Sequence, residues 1–213
     1  MNPVRSNKSK IYADSSANRT SNGMSKNKLY AVFFIMVATG TAAVYFVSSG
    51  YYPIAVVNGK FISERAFADD YAVASLYYRN FLKTYQSSSS TPETLTPEQI
   101  QKSVLTGLIE NILIDSGARK ETGGDIDGLV KEKIDRAASG PDMEQAVKAL
   151  YGLNIEDFKE EILAPQAKRD ILTGSLFLKG EKIDDWLAAA KKSSRVLIFS
   201  GKFYWDGESV ASH

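Results

Sequence analysis

The sequence contains no cysteine and a single histidine, His213, which is its last residue. The first absence excludes a thiol nucleophile, a thiolate metal site and any disulfide. The second leaves no base for a Ser-His-Asp relay, because chain ends fray and hold side chains poorly. No glycine-rich phosphate loop is found either, so ATP dependence is not expected. The expectation is therefore a protein without cofactor or metal. Excess charge is also scarce, at +1 overall. It is unevenly spread. Residues 1–28 hold six basic residues against Asp14, a net +5, whereas residues 29–213 hold 20 basic and 24 acidic residues, a net −4. An acidic body offers no electrostatic footprint for nucleic acid.

Catalysis without cysteine or a usable histidine is left with a Ser-Lys dyad or paired carboxylates. Ser103 and Ser116 fall on helical positions with no sign of a strained elbow. Asp69-Asp70, Glu160-Glu161 and Asp184-Asp185 are adjacent pairs, and adjacent helical residues do not face one another. These pairs read as solvated faces, and the chain reads as a non-enzyme.

What the chain does have is one long apolar run. LYAVFFIMVATGTAAVYFV, residues 29–47, carries no charge. As a helix it would span roughly 28 Å, close to the hydrocarbon thickness of a bilayer. Tyr30 and Tyr45 lie near its ends, as in an interfacial aromatic belt. The basic residues precede the run, so the positive-inside rule puts residues 1–28 in the cytoplasm and the body on the extracytoplasmic, periplasmic side. The reading is a single-pass type II membrane protein, with a basic tail (1–28), a signal-anchor (29–49) and a body (50–213). The competing reading is a signal peptide cleaved after Ser49, although the run exceeds the usual apolar core of such peptides. Ala38 and Ala42 form a small-xxx-small pair of the kind that joins membrane helices into a homodimer. The alternative is that they simply face lipid.

The body alternates helical patterns with punctuation. IAVV (residues 54–57) is a strand closed by the Asn58-Gly59 turn. Ser63 then suits a helix cap, and Phe67, Tyr71, Ala74, Tyr78, Leu82 and Tyr85 follow at helical spacing. QSSSSTPETLTP, residues 86–97, reads as a flexible connector. Thr96-Pro97 opens a second helix, whose wide stripe of Val104, Leu105, Leu108, Ile109, Ile112 and Leu113 implies burial between two neighbours. Gly123-Gly124 ends it. Further helices are predicted over residues 125–138, in DMEQAVKALYGLN up to Gly152, from an Asn154 cap to Gly180, and in KIDDWLAAAKKS. Pro165 should kink the third of these near Ile162. RVLIF (residues 195–199) is a second strand, and KFYWDGESV contains an Asp-Gly turn. The expected fold is mainly α, with the strands at the two ends of the body paired as a small two-stranded ribbon.

The segments AVVNGKFISERAFADDY, LTGLIENILIDSGARKETG, DIDGLVKEKID and ALYGLNIEDFKEEILAPQAKRDIL, in that order, resemble the N-terminal chaperone domain of the SurA/PrsA/PpiD class of extracytoplasmic folding factors. The resemblance covers residues 54–178. A type II anchor ahead of the domain is similar to PpiD-like members. Many members also carry a parvulin prolyl-isomerase domain after the long helix. Residues 179–213 are too few for that module, and the histidines of its site are missing. The resemblance therefore implies a SurA-N-like holdase that binds unfolded or nascent polypeptides without isomerase activity. The aromatic residues Tyr71, Tyr77, Tyr78, Phe81, Tyr85 and Phe158 are the candidate client contacts, because aromatics give large contact area with few rotors. Each also fits simple core packing. The alternative function is a non-catalytic structural subunit of an envelope complex with one dedicated partner.

Overall fold

The computed structural model describes residues 26–85, 95–140 and 142–213, with side chains from residue 30 onward apart from Thr84 and Tyr85. Residues 1–25 of the basic tail and most of the serine-rich connector lie outside the described residues. The chain divides into two compact units, with the boundary between Val44 and Tyr45.

The first unit holds most of helix α1 (Lys26–Ser48). Its stretch Tyr30–Ser48 is long and apolar enough to cross a membrane, with a mean hydropathy of 1.9 and none of it buried against protein. The hydroxyls of Thr39 and Thr41 donate to the carbonyls of Ile35 and Val37, at 2.7 and 2.9 Å. Each polar side chain is thus satisfied within the helix, as an apolar surrounding requires.

The second unit begins with the last turn of α1, which closes on Gly50 at φ 70°. Gly50 N–H donates to Val47 C=O and Tyr51 N–H to Phe46 C=O, the bond pair of a Schellman cap. The ring of Tyr51 packs edge-on against Phe46 at 6.2 Å. Strands β1 (Pro53–Val57) and β2 (Lys60–Ser63) follow as an antiparallel hairpin. Its turn residues Asn58 and Gly59 have φ of 50° and 86°. Two left-handed residues match the right-handed twist of the flanking strands, and Asn-Gly supplies them at little cost.

Helix α2 (Glu64–Tyr85) starts directly after β2. Ser63 Oγ accepts from Ala66 N–H, while Gly50 and Tyr52 carbonyls accept from Arg65 and Glu64 N–H. The first-turn donors that a helix leaves unpaired are thereby met by the segment leading into β1. Helix α3 (Pro97–Glu121) opens with a full capping box between Thr96 and Gln99. Helices α4 (Asp127–Ala137), α5 (Met143–Tyr151) and α6 (Ile155–Phe158) follow, the last capped by Asn154.

The irregularity expected at Pro165 is a π-helical segment, Lys159–Leu163, in which Ala164 N–H donates to Lys159 C=O. Proline has no N–H for the normal i−4 bond. The chain widens by one residue there rather than breaking, and α7 (Ala164–Leu178) continues the same helix. Helix α8 (Ile183–Ser193) leads to β3 (Val196–Ile198), then to the hairpin of β4 (Phe203–Trp205) and β5 (Val210–Ser212).

β1 does pair with β3, antiparallel, with Val56 opposite Leu197. The two-stranded ribbon needs correction, however. β2 occupies the other edge of β1, giving a three-stranded sheet in the order β2-β1-β3, and β4-β5 forms a second small sheet. Lys60–Ser63 lie between the Asn58-Gly59 turn and the helix that Ser63 caps. They form β2 because the tight turn returns the chain alongside β1, where Ile62 can bury beside Ala55.

Helix α3 is the axis of the core. Leu105, Ile109, Leu113, Ile114 and Ala118 pack with Leu172 and Leu176 of α7, Leu187 of α8, Ile126 and Val130 around α4, and the inward side chains of both sheets. The stripe read from the sequence is thus buried from more than one side. Gly117 lets α8 approach closely: a Cβ there would lie 2.5 Å from the Trp186 ring.

Candidate functional site

A cleft of about 810 Å³ opens in the body. Leu108, Asn111, Ile112 and Asp115 of α3 line it, with Ala66 and Asp70 of α2, the β2 segment Lys60–Ser63, and Glu160, Glu161, Pro165 and Lys168 from the π segment and α7. A second hollow of about 250 Å³ shares Asp70, Leu108, Asn111 and Glu161 and adds Val104, Gly107, Tyr77 and Tyr151. Together they make one trough beside α3. Its combined size is that of a site for a drug-sized ligand or a few residues of extended peptide.

The two ends differ electrically. At the β2 end, Asp115 meets Lys60 at 3.1 Å and Lys168 at 2.8 Å. Burial alone would raise its pKa, but the two ammonium groups override this and hold it at about 2. Lys60 also donates to Ser116 Oγ at 3.2 Å, while that hydroxyl donates to Ile112 C=O at 2.8 Å. The serine proton is thus directed back into its own helix, and Lys60 is engaged by a carboxylate. This is a structural ion pair rather than the free amine and hydroxyl of a Ser-Lys dyad.

Farther along, Asp70 and Glu161 come from different helices and line both hollows. Burial, helped by the charge of Asp69, pushes Asp70 up to about 6. Burial also raises Glu161, followed by the charge of Asp70. Among the described residues, no cation forms an ion pair with either. The reading of these acids as plain solvated pairs is therefore corrected. Asp69 is exposed while Asp70 is half-buried, and Asp70 and Glu161 are brought together across the trough. The π segment contributes Glu160 and Glu161 to the same wall.

The aromatic candidates separate into groups. Tyr77, 38% exposed, lines the trough and stacks on Tyr151 with ring centres 5.0 Å apart. Phe81 lies 6.2 Å from Tyr77, and Phe158 lies 5.2 Å from Tyr151. Phe158 is only 7% exposed, so its ring packs under the cluster and presents no open contact surface. Tyr71 is half-buried and stacks on Phe67. Tyr78 accepts a hydrogen bond from Leu95 N–H at 2.8 Å. The side chain of Tyr85 lies outside the described residues.

Sequence reasoning missed Tyr151, the centre of the cluster. The available signal was Gly152 directly after it. That glycine has φ 75°, and a Cβ there would lie 2.5 Å from Leu76 Cδ2, so it brings the end of α5 onto α2. Asn80 Nδ2 completes the docking by donating to Ala149 and Leu150 carbonyls, at 3.0 and 3.1 Å.

No family model, curated protein or solved structure matches the chain. The geometry of the trough therefore carries the functional argument. Among the described residues no group of three or more His, Asp or Glu side chains is arranged to hold a metal ion.

Proposed function

We propose that this chain is a membrane-anchored, extracytoplasmic, ATP-independent holdase for unfolded or nascent polypeptides, and that the trough beside α3 receives them. The observation that carries the reading is the trough itself. It is open, walled by Leu108, Ile112, Val104 and the Tyr77–Tyr151 pair, and floored by a helix whose opposite side is locked in the core. Such a surface offers apolar contact to many sequences without demanding one, since aromatic contact area needs little side-chain ordering. The resemblance of residues 54–178 to SurA-like domains supports the same reading. The apolar helix Tyr30–Ser48 supplies the anchor.

The test is suppression of aggregation of two unrelated unfolded proteins by residues 51–213, without ATP. A plugged variant provides the control. Gly107 lines the trough and has nothing within 4 Å of an added Cβ, so Gly107→Leu fills space without a clash and improves helix propensity. Protection of both clients by the parent and its loss in a folded Gly107→Leu variant is the expected result. Absence of protection by the folded parent overturns the holdase. Equal protection by the variant overturns the trough as its site.

A further inference from the structure

The three-stranded sheet buries one face and leaves the other bare. Ala55, Val57 and Ile62 point into the core. On the opposite side Phe61, Val56 and Leu197 stand next to one another across β2, β1 and β3. Phe61 is 72% exposed, Leu197 53% and Phe199, two residues along, 61%. The alternation of β3 carries exposed Arg195 onto this same face. Three large apolar side chains in adjoining positions make a patch, which a folded surface seldom leaves without a use.

The charge around this patch departs from that of the body. Residues 53–63 and 194–205 contain no acidic residue, although the chain from residue 29 onward is net acidic; Lys60 is engaged by Asp115 on the inner side, which leaves exposed Arg195 on the outer face. The patch is also close along the chain to the apolar helix. β1 begins five residues after Ser48, and the intervening turn is held by the Gly50 cap, by the Phe46–Tyr51 contact and by the bonds from Arg65 and Glu64. Arg65 further donates to Tyr51 Oη at 3.2 Å and lies 5.5 Å from the centre of its ring. Tyr45, Tyr51, Tyr52 and Arg65 are residue types that settle at the boundary between lipid and water. Strand residues advance about 3.3 Å each, so Val56 lies within roughly 15 Å of chain from Tyr52.

We infer that the outer face of this sheet, Phe61-Val56-Leu197 with Phe199 and Arg195, rests on an anionic lipid surface. The apolar rings and Leu197 enter the headgroup boundary, and Arg195 meets lipid phosphates. Basic residues beside apolar ones add electrostatic attraction to apolar burial at such a surface. The body is then a membrane-resting domain rather than one that tumbles on a tether. The inference depends on the reading of α1 as a membrane span; Phe61 also borders the trough, so the test reads positions 197 and 199, which the trough does not include.

The absence of native cysteine makes the test direct. Single variants Leu197→Cys, Phe199→Cys, Lys131→Cys and Ile35→Cys of the full chain are nitroxide-labelled and reconstituted in vesicles of equal phosphatidylglycerol and phosphatidylcholine. All four positions are exposed, so the label disturbs no core. Accessibility is read with oxygen, which favours lipid, and with a water-soluble nickel chelate. The expected result is chelate protection at 197, 199 and 35, full chelate access at 131, and loss of protection at 197 and 199 in vesicles of phosphatidylcholine alone at high salt. Chelate access at 197 and 199 equal to that at 131, with 35 still protected, overturns the lipid contact while leaving the span intact. Chelate access at 35 overturns the span. Spin-spin broadening at 197 that disappears on dilution with unlabelled protein assigns the face to a second copy and overturns the proposal.

Discussion

Asp70 is the group whose ionisation works against the fold. Its pKa rises from 3.8 in the free side chain to about 6, through burial first and the charge of Asp69 second. A carboxyl raised in this way binds more protons in the native than in the unfolded chain between those two values. Stability therefore falls as pH rises from 3.8 to about 6, and the full penalty stands above that. At about 1.4 kcal/mol per tenfold change, the gap sets a ceiling of about 3 kcal/mol. The residue is only half-buried, and solvent screening brings the expected cost to about 1–2 kcal/mol. Asp70→Asn keeps the shape and removes the charge. In urea denaturation of residues 45–213, followed by the fluorescence of Trp186 and Trp205, the variant should gain about 1–2 kcal/mol near pH 8 and only a few tenths near pH 4. An equal gain at both pH values would show that packing or propensity, rather than ionisation, caused it. No gain near pH 8 would refute the account of the trough as a place where charge is costly.

Asp115 has the opposite sign. Its carboxyl is held at about 2 by Lys168 and Lys60 against the effect of burial, so it contributes stability above 3.8 that is lost as pH falls towards about 2. Asp115→Asn should cost roughly 1 kcal/mol near neutral pH, after allowance for solvent around the lysines, and nothing in strong acid, as read by the same denaturation. Gly117→Ala puts a methyl into the Trp186 ring and should destabilise by about 1–2 kcal/mol, overpacking outweighing the better helix propensity of alanine. Its marker is a changed Trp emission in the native baseline. Gly152→Ala forces a left-handed residue to carry a Cβ against Leu76 and should cost more than about 1 kcal/mol. Hydrogen exchange should then speed up in α5 ahead of the α3 core, because the lost contact is the one that docks α5.

The residues that could be read in advance act through near neighbours. Asn58-Gly59 specified its turn, Thr96-Pro97 and Asn154 specified helix starts, and Gly152 and Gly180 specified ends, because each of these choices is made by a few adjacent backbone groups. The apolar stripe of α3 and the uncharged stretch before Ser48 were legible for the same reason: periodicity and composition are properties of one segment. The pairing of β1 with β3 followed from the lack of any other partner for either strand, yet β2 escaped notice because four residues between a turn and a helix carry almost no pattern.

The trough was not legible, since its walls are brought together by packing. Asp70 and Glu161 are 91 positions apart and read as solvated acids until α2 and the π segment flank α3. Pro165 announced an irregularity, but only the packed helix decided that it would be a widened turn that adds Glu160 and Glu161 to one wall. Phe158 and Tyr77 looked alike in sequence, and burial separated them into a packed ring and a trough lining. Sequence alone determined where the chain turns, caps and becomes apolar, because those are local free energies. Which side chains share a surface, and which carboxyl gives up solvent, was decided only by the tertiary structure, because desolvation and long-range charge depend on whatever distant segment arrives next to them.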